Sequence, residues 1–299
     1  MNKIRVVEQD IIFLSYDEPN AEKNYVDLCQ KIPWAKRVHG VKGSDSAHKA
    51  CADISDTEHF VTVDGDNLVN PDFLNVEVDI DELGVTKNHV FSWCGNIHVN
   101  GLRYGNGGLK LWNKSFVKNM RTHEASDGSD ARSLVEFCFD DLYFQFNENY
   151  STSYTNASPF QAFRAGFREG VKMSLNQGAK VKDIKSVWWQ NLERLLIWCS
   201  VGADVENGLW SIYGAREGCY LTNCTDWDYT QVRDFEYLTE RWEDTYSKIT
   251  ESELTDKLAE LENTLTDKLG LEIAMLDKTA SKFFKRVYKN TPRTYKRIR

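Results

Sequence analysis

The sequence predicts an α/β fold in which a mixed sheet is flanked by helices and followed by a helical C-terminal region. In the first half, short apolar runs alternate with amphipathic segments, as in nucleotide-binding α/β units. Acidic residues directly follow two of these runs, and helical periodicity dominates the second half. The 299 residues, 41% of them hydrophobic, suffice for one large domain with a helical annex.

The first strand and helix are predicted close to the N-terminus. Residues 10–16 (DIIFLSY) form an apolar run that ends in the turn-prone sequence DEPN, as expected of a buried parallel strand. The following segment has Ala21, Tyr25 and Leu28 at helical spacing. A strand followed directly by a helix is the repeating unit of an α/β sheet.

A second helix and strand follow. The sequence VKGSDSAHKACADIS predicts a loop and then a short helix, with Ser44 or Asp45 as its N-cap. The apolar run HFVTV, residues 59–63, predicts a buried strand that leads straight into DGDN. Ligands of such sheets bind at the carboxyl ends of the strands, where both SYDE and DGDN occur.

Glycines and polar loops interrupt the middle of the chain. Residues 88–116 predict a bent strand pair with tight turns, and residues 122–132 a polar loop or lid. The sequence EFCFDDLYFQF, residues 136–146, is strand-like, and we expect the polar stretch NENYSTSYTNASP to follow it as a separate segment.

The second half predicts helices. Residues 159–176 begin with a proline suited to a first helical turn, and residues 183–201 are amphipathic and rich in tryptophan. Four leucines recur within residues 234–276 at helical spacing: Leu254, Leu258, Leu261 and Leu265. We divide the chain into a catalytic domain, residues 1–232, and a helical extension, residues 233–299.

Composition excludes several classes of protein. The seven cysteines are scattered without a CxxC pair, which argues against a zinc knuckle or a disulfide framework. No run is long and apolar enough to span a membrane, and the first residues lack the apolar core of a signal peptide. We therefore expect a cytoplasmic protein without membrane insertion, and its oligomeric state stays open.

The charge is unevenly distributed along the chain. The formal net charge is −8, yet residues 282–299 carry eight basic side chains and no acidic one. Aromatic residues alternate with these charges, so the segment is expected either to follow a nucleic-acid backbone or to dock on the body as a terminal helix. A basic segment also suits an anionic membrane surface.

The sequence Asp64-Gly65-Asp66 carries the strongest chemical signal. When a nucleoside diphosphate leaves a sugar-nucleotide donor, negative charge develops on its phosphates, and a divalent cation neutralises that charge. Mg²⁺ and Mn²⁺ prefer oxygen ligands, and two carboxylates at a strand end supply them. Gly65 permits close approach of the backbone to a ligand. We therefore predict that Asp64 and Asp66 bind Mn²⁺ or Mg²⁺.

These residues, together with IIFLSYDEPN, GSDSAHKACADIS and YGNGGLKLW, resemble the GT-A glycosyltransferases over roughly residues 9–225. The resemblance implies a GT-A (Rossmann-like) sheet and a uridine diphosphate sugar as donor. It implies that the end of the first strand, with Ser15, Asp17 and Glu18, contacts the nucleobase. It implies that His48 or Lys49 contacts the diphosphate or ribose. A glycine-containing strand, with Gly107, Gly108 and Lys110, is implied to line the sugar pocket.

A narrower resemblance is to glycosyltransferases of large tailed phages, through SDSAHKACADIS, VDGDN, SPFQAFRAGFREGVKMSL and IYGAREGCYL. Relatives of that type transfer glucosyl or arabinosyl groups to hydroxymethylcytosine in DNA, which implies DNA as the acceptor. The same chemistry on a glycan, lipid carrier or protein is the alternative. A non-catalytic binding protein on the same scaffold is a third interpretation, which the intact DxD sequence disfavours.

Further basic and acidic side chains are candidates for the site. Arg164 and Arg168 share a helix face and suit a diphosphate or a DNA phosphate. Residues 214–216 are a candidate phosphate-facing turn. An inverting enzyme needs a carboxylate base, for which Asp130 is the first choice, before Asp127, Asp140 and Asp141. His123 is a weaker candidate as a further metal ligand.

Overall fold

The computed structural model describes residues 2–105, 108–126, 128, 131–135 and 142–289. Its strands are β1 Lys3–Arg5, β2 Asp10–Ser15, β3 Lys36–His39, β4 His59–Asp64, β5 Asn67–Val69, β6 Glu77–Asp79, β7 Val90–Ile97, β8 Arg103–Tyr104, β9 Leu109–Asn113 and β10 Tyr143–Ser153. Its α-helices are α1 Ala21–Lys31, α2 Ser44–Ile54, α3 Ile80–Leu83, α4 Lys114–Asn119, α5 Pro159–Met173, α6 Trp189–Trp198, α7 Gly208–Cys224, α8 Phe235–Arg241, α9 Glu251–Leu269 and α10 Lys278–Val287.

Eight of these strands form one mixed sheet in the order β3-β2-β4-β9-β7-β10-β5, with β8 paired to β7. Strand β2 is parallel to β3 and β4, and β7 is parallel to β10. Both β4 and β7 pair antiparallel with β9, so they run in the same direction. The carboxyl ends of β2, β3, β4, β7 and β10 therefore meet at one edge of the sheet, which we call the carboxyl edge.

The sheet is covered on both faces. Ile11, Ile12 and Phe13 are consecutive residues of β2, and all three are fully buried. Consecutive side chains of a strand point to opposite faces, so burial of all three requires packing on both sides. One core contains Ile11 and Phe13 with residues of α1, and another contains Ile12 with Cys51 of α2 and Trp112 of β9.

The glycines of α5 and α7 allow these two helices to cross at very short range. A Cβ atom on Gly166 would overlap the carbonyl oxygen of Ser211, and one on Gly170 would overlap the carbonyl oxygen of Ala215. From the other side, a Cβ on Gly214 would overlap the carbonyl oxygen of Phe163. The crossing therefore brings backbone against backbone and fixes α5 against α7.

The C-terminal helices share their cores with the helices that precede them. Leu254, Leu258 and Leu261 of α9 pack in one cluster with Phe163 and Phe167 of α5. Thr250 and Glu253 begin α9 with a capping box, in which each side chain accepts a hydrogen bond from the other residue's backbone N–H. The leucine periodicity thus identifies a real helix, whose apolar face packs mainly against α7.

The predicted fold class is confirmed: an α/β structure with a mixed sheet flanked by helices, followed by a helical C-terminal region. Two local predictions were wrong. Strand β10 continues through much of the polar stretch, because Ser151 and Ser153 are buried between β5 and β7. The N-cap of α2 is Gly43, and the Glu124 carboxylate accepts hydrogen bonds from the backbone N–H groups of Ser44 and Asp45.

Candidate active site

The Asp64-Gly65-Asp66 sequence lies at the carboxyl edge, where β4 ends. The backbone N–H of Asp64 donates to the carbonyl of Gly108 over 3.1 Å, which fixes the strand end against β9. The Nδ2 atom of Asn24 on α1 donates to the carbonyl of Gly65 over 2.9 Å. The turn between the two carboxylates is therefore held from both neighbouring elements.

Three groups orient Asp66. The hydroxyl of Ser153, the last residue of β10, donates to Asp66 Oδ2 over 3.1 Å, and Asn67 Nδ2 donates to Oδ1 over 2.6 Å. The backbone N–H of Tyr154 donates to the carbonyl oxygen of Asp66 over 2.8 Å. Both carboxylate oxygens thus accept a hydrogen bond, and each retains a further lone pair for another ligand.

The carboxylate of Glu18 lies directly over Gly65. A Cβ atom at position 65 would lie 2.7 Å from Glu18 Oε2 and 2.9 Å from the Cβ of Ser15, so only glycine fits there. The backbone N–H of Tyr16 donates to Glu18 Oε2 over 2.8 Å and holds it in place. Glu18 therefore forms part of an acidic cluster with Asp64 and Asp66.

Burial and mutual repulsion disfavour ionisation within this cluster. Burial, followed by the charges of Asp64 and Glu18, raises the pKa of Asp66 to about 7. Burial also raises the pKa of Asp64, although the cations of Lys110 and Arg168 oppose that shift. Carboxyl groups that repel one another in a cleft are suited to binding a cation, because its charge relieves the repulsion.

Lys110 supplies a buried cation next to Asp64. It lies on β9 opposite Thr62 of β4, and only 5% of it is exposed. Its ammonium nitrogen lies 5.6 Å from the ring centroid of Trp112. His48 of α2 packs edge-on against the same ring, and burial together with the Lys110 charge lowers the pKa of His48 to about 4. A neutral imidazole and a buried ammonium therefore adjoin the acidic cluster.

Arg164 and Arg168 lie on α5, on the side of the acidic cluster that faces this helix. Phe235 of α8 lies under both guanidinium groups, 5.2 Å from that of Arg164 and 4.8 Å from that of Arg168. Arg164 pairs with Asp17 at 3.7 Å. The Nε atom of Arg168 is buried without a hydrogen-bond partner among the described residues, while Asp64 and Asp66 lie within electrostatic range.

His48 and Lys49, the two residues proposed from the segment before DxD, differ in their position relative to the site. The Nδ1–H of His48 donates to the carbonyl of Ser44 over 2.8 Å, and its ring faces the sheet. Lys49 pairs with Asp45 one helical turn earlier. His48 is therefore the member of this pair that adjoins Lys110 and the site.

At the end of β2, the structure adds residues that the sequence did not single out. The Oγ atom of Ser15 lies 2.9 Å from Nδ1 of His39 and accepts a hydrogen bond from Arg37 Nε over 3.2 Å. Arg37 also pairs with Glu22 at 2.6 Å. Both Arg37 and His39 lie on β3, whose parallel pairing with β2 brings them to the same edge.

Gly108 packs tightly against the site, since a Cβ atom there would overlap the amide of Asn67. Asn67 in turn holds Asp66, so this glycine permits the arrangement of the metal-binding candidates. Gly107 lies outside the described residues, as do four acidic candidates for the base: Asp127, Asp130, Asp140 and Asp141.

Residues 214–216 do not form a phosphate-facing turn, and this prediction was wrong. They lie inside α7, where Arg216 is completely buried. Its guanidinium donates to the carbonyls of Cys199 and Leu258 and pairs with Glu262 at 2.9 Å. The glycine at position 214 serves the crossing with α5, and Arg216 joins α7 to α9.

The chemistry of the donor set fits Mn²⁺ or Mg²⁺ if a substrate completes the coordination. Among the described residues, no group of three or more His, Cys, Asp or Glu side chains is placed to hold a metal ion by itself. Asp64 and Asp66 offer hard oxygen ligands, and Mg²⁺ often binds through one or two carboxylates together with substrate phosphates. His123, the weaker candidate, lies beyond α4 in the segment that caps α2.

The sequence matches no family model and no curated protein sequence. A similar solved structure is the crystal structure of a glycosyltransferase involved in the glycosylation of the major capsid of PBCV-1, with 12% identity and a TM-score of 0.30; the match covers 50% of this chain and 94% of that chain. None of the helices in the described part of the chain has the length and apolar character to cross a membrane.

Proposed function

We propose that this protein is a glycosyltransferase that binds a nucleotide-sugar donor at the carboxyl edge of its sheet. One observation carries the proposal: Asp64, Asp66 and Glu18 converge around Gly65, with the cations of Lys110 and Arg168 beside them. A site with both kinds of charge suits a ligand that consists of a divalent cation and a diphosphate.

Each residue has a distinct task in this proposal. Asp64 and Asp66 hold Mn²⁺ or Mg²⁺, which when bound neutralises the charge that develops on the departing diphosphate. Lys110 and Arg168 bind phosphate oxygens from the opposite side, and Arg168 contributes a planar fork of donors. Gly65 leaves room for the Glu18 carboxylate beside the two aspartates. Asp130, or otherwise Asp127, Asp140 or Asp141, acts as the base.

The donor is proposed to be a uridine diphosphate sugar. The cluster of Ser15, Arg37 and His39 at the ends of β2 and β3 supports a polar base-binding subsite beside the diphosphate. Asp17 pairs with Arg164 and so borders the same subsite. The proposal for uridine itself rests on the resemblance to GT-A enzymes.

The acceptor is proposed to be the hydroxymethyl group of 5-hydroxymethylcytosine in DNA. The resemblance to phage glycosyltransferases and the basic C-terminal segment support it. The alternative acceptor is a glycan, lipid carrier or protein, on which the same residues perform the same chemistry. Because donor binding and acceptor binding are separate, they require separate experiments.

The donor is tested by donor hydrolysis with a panel of uridine and guanosine diphosphate sugars, with Mn²⁺, with Mg²⁺ and with excess chelator. We expect hydrolysis of a uridine diphosphate sugar that requires the metal and is lost in Asp66→Ala with the fold retained. Turnover in chelator would exclude the metal-dependent mechanism. Absence of nucleotide binding to the folded protein would favour a non-catalytic binding protein.

The acceptor is tested with duplexes that contain cytosine or 5-hydroxymethylcytosine, followed by mass spectrometry of the nucleosides. We expect a hexose or pentose increment confined to hydroxymethylcytosine. Donor hydrolysis without any modified nucleoside would transfer the assignment to the glycan, lipid or protein acceptor.

A further inference from the structure

The outer face of the C-terminal helix presents a row of cations. Lys278, Lys282 and Arg286 are spaced four residues apart, so they lie on one side of α10, and Lys289 follows its end. All four side chains are exposed, and none forms an ion pair with a described residue. We call these four residues the α10 cation row.

The inner face of α10 is fixed to the protein. Phe284 and Tyr288 pack against the core that contains residues of α6 and α7, and Ser281 is fully buried. Lys285 turns inward, where its ammonium group pairs with Asp204 at 2.7 Å and donates to the carbonyl of Val99 over 3.3 Å. The helix is therefore held in one orientation with the cation row outward.

This anchoring places α10 at the same edge of the sheet as the candidate active site. Val99 follows β7 by two residues, and its neighbour His98 stacks on Tyr154 with ring centroids 4.4 Å apart. The backbone N–H of Tyr154 donates to the carbonyl of Asp66. The contact of Lys285 with Val99 is thus linked through two residues to the acidic cluster.

We propose that the α10 cation row binds the phosphate backbone of the nucleic acid whose base is the acceptor. The inference rests on the proposed function, and it adds a surface and a partner contact to it. A row of exposed cations on a body of net negative charge attracts a polyanion to one defined place. Because the inner face of α10 is anchored at the carboxyl edge through Lys285 and Val99, the proposal is that a strand bound to the outer row can reach the donor site.

The structure favours nucleic acid over an anionic membrane as the partner. A helix that lies in a membrane interface inserts its apolar face into the lipid. In α10 that face, with Phe284 and Tyr288, is already packed against the protein. Outside it, Phe283 and Val287 are exposed, but they lie beside the cation row, and the Arg286 guanidinium lies 5.3 Å from the centroid of the Phe283 ring.

The test compares the unsubstituted protein with the double variant Lys282→Ala/Arg286→Ala in binding to a labelled duplex over a range of salt concentrations. Each phosphate contact contributes a slope of about −0.9 to log K against log salt, so loss of both reduces the slope magnitude by about 1.8. Binding is expected to weaken equally for cytosine and hydroxymethylcytosine duplexes, because phosphate contacts do not read the base.

A matched control is Lys248→Ala/Lys257→Ala, which removes the same charge from exposed lysines outside α10. The control is expected to retain the salt slope. Equal slopes for the two double variants would overturn the proposal. So would loss of binding to phosphatidylserine vesicles in the Lys282/Arg286 variant with unchanged DNA binding, since that result assigns the row to a membrane.

Donor hydrolysis without DNA separates this proposal from the proposed function. It is expected to be unchanged in the Lys282/Arg286 variant. If that variant glycosylates DNA efficiently with an unaltered salt slope, the α10 cation row does not bind DNA, while the proposed function stands. If the salt slope depends on the row but no nucleoside is modified, the row binds DNA, while hydroxymethylcytosine is not the acceptor.

Discussion

Ser153 donates a hydrogen bond to the carboxylate of Asp66 across 87 residues of sequence, over a distance of 3.1 Å. The pairing of β10 with β5 explains this contact, because it places Ser153 opposite Asn67, the residue that follows Asp66. Residues that orient a metal ligand are often as important as the ligand itself. The last residue of β10 is thus expected to set the position of an oxygen at the end of β4.

The first prediction concerns this contact. Replacement Ser153→Ala leaves Asp66 free to rotate about its remaining hydrogen bond from Asn67, so the Mn²⁺ concentration for half-maximal donor hydrolysis should rise about 10-fold or more. The measurement is a Mn²⁺ titration of hydrolysis together with direct Mn²⁺ binding by electron paramagnetic resonance. Ser153→Thr, which keeps the hydroxyl, should recover most of the affinity.

Ser151→Ala is the matched control, because Ser151 is a buried serine two residues earlier on the same strand and its Oγ atom makes no hydrogen bond to a described residue. Equal losses of Mn²⁺ affinity at positions 151 and 153 would show that the effect comes from packing in β10 and not from the orientation of Asp66.

The sequence signals that located the two aspartates are local ones. The DGDN sequence and the strand before it predict where Asp64 and Asp66 lie, since a carboxyl strand end is a local feature. Ser153 was not identified, because its contribution depends on the pairing of two strands far apart in sequence. Asn67 belongs to the DGDN sequence, yet its role follows only from its approach to Gly108.

In helix α7, a local sequence signal gave a wrong prediction. The helix contains glycines at positions 208, 214 and 218, a residue type typical of turns, and residues 214–216 were wrongly predicted to form one. In the structure two of them, Gly214 and Gly218, face α5, where any side chain would overlap its backbone. The helix therefore forms because tertiary packing outweighs the low helical propensity of glycine, which no local pattern reveals.

The helix crossing gives the second prediction. Gly166→Ala raises helical propensity by up to about 1 kcal/mol, but its methyl group would overlap the Ser211 carbonyl oxygen. Overpacking costs about 1–3 kcal/mol, so we expect a net decrease in the free energy of unfolding. Urea denaturation measures it. Ala165→Ser, the neighbouring position on the same helix, should change stability much less. Stabilisation by Gly166→Ala would contradict the close crossing.

The third prediction concerns pH. The pKa of Asp66 is about 7, raised by burial and by the charges of Asp64 and Glu18, whereas an aspartate in an unfolded chain titrates near pH 3.9. A carboxyl whose pKa is higher in the folded state stabilises the fold while it is protonated. This contribution is fully present below about pH 4 and is lost progressively as pH rises from about 4 to about 7. In chelator, the melting temperature should fall over that interval.

Asp66→Asn tests the assignment, because the amide imitates the neutral acid at every pH. Its melting temperature should fall less over the same interval, whereas Asp72→Asn at an exposed position should behave like the unsubstituted protein. A decline of equal size in Asp66→Asn would assign the pH dependence to other groups.

The last prediction compares the two arginines of α5. The Nε atom of Arg168 is buried without a hydrogen-bond partner among the described residues, whereas Arg164 already pairs with Asp17. If Arg168 binds the diphosphate, Arg168→Lys keeps the charge but loses the planar pair of donors. Loss of a hydrogen bond to a charged group costs about 1.5–3 kcal/mol, which corresponds to a rise in the donor KM of about 10-fold to 150-fold. A contact made equally in the ground and transition states leaves kcat unchanged.

Arg164→Lys is the control, since both guanidinium groups lie over Phe235 and both substitutions disturb that packing. A larger rise in KM for Arg164→Lys than for Arg168→Lys would reverse the assignment and place the diphosphate nearer Asp17.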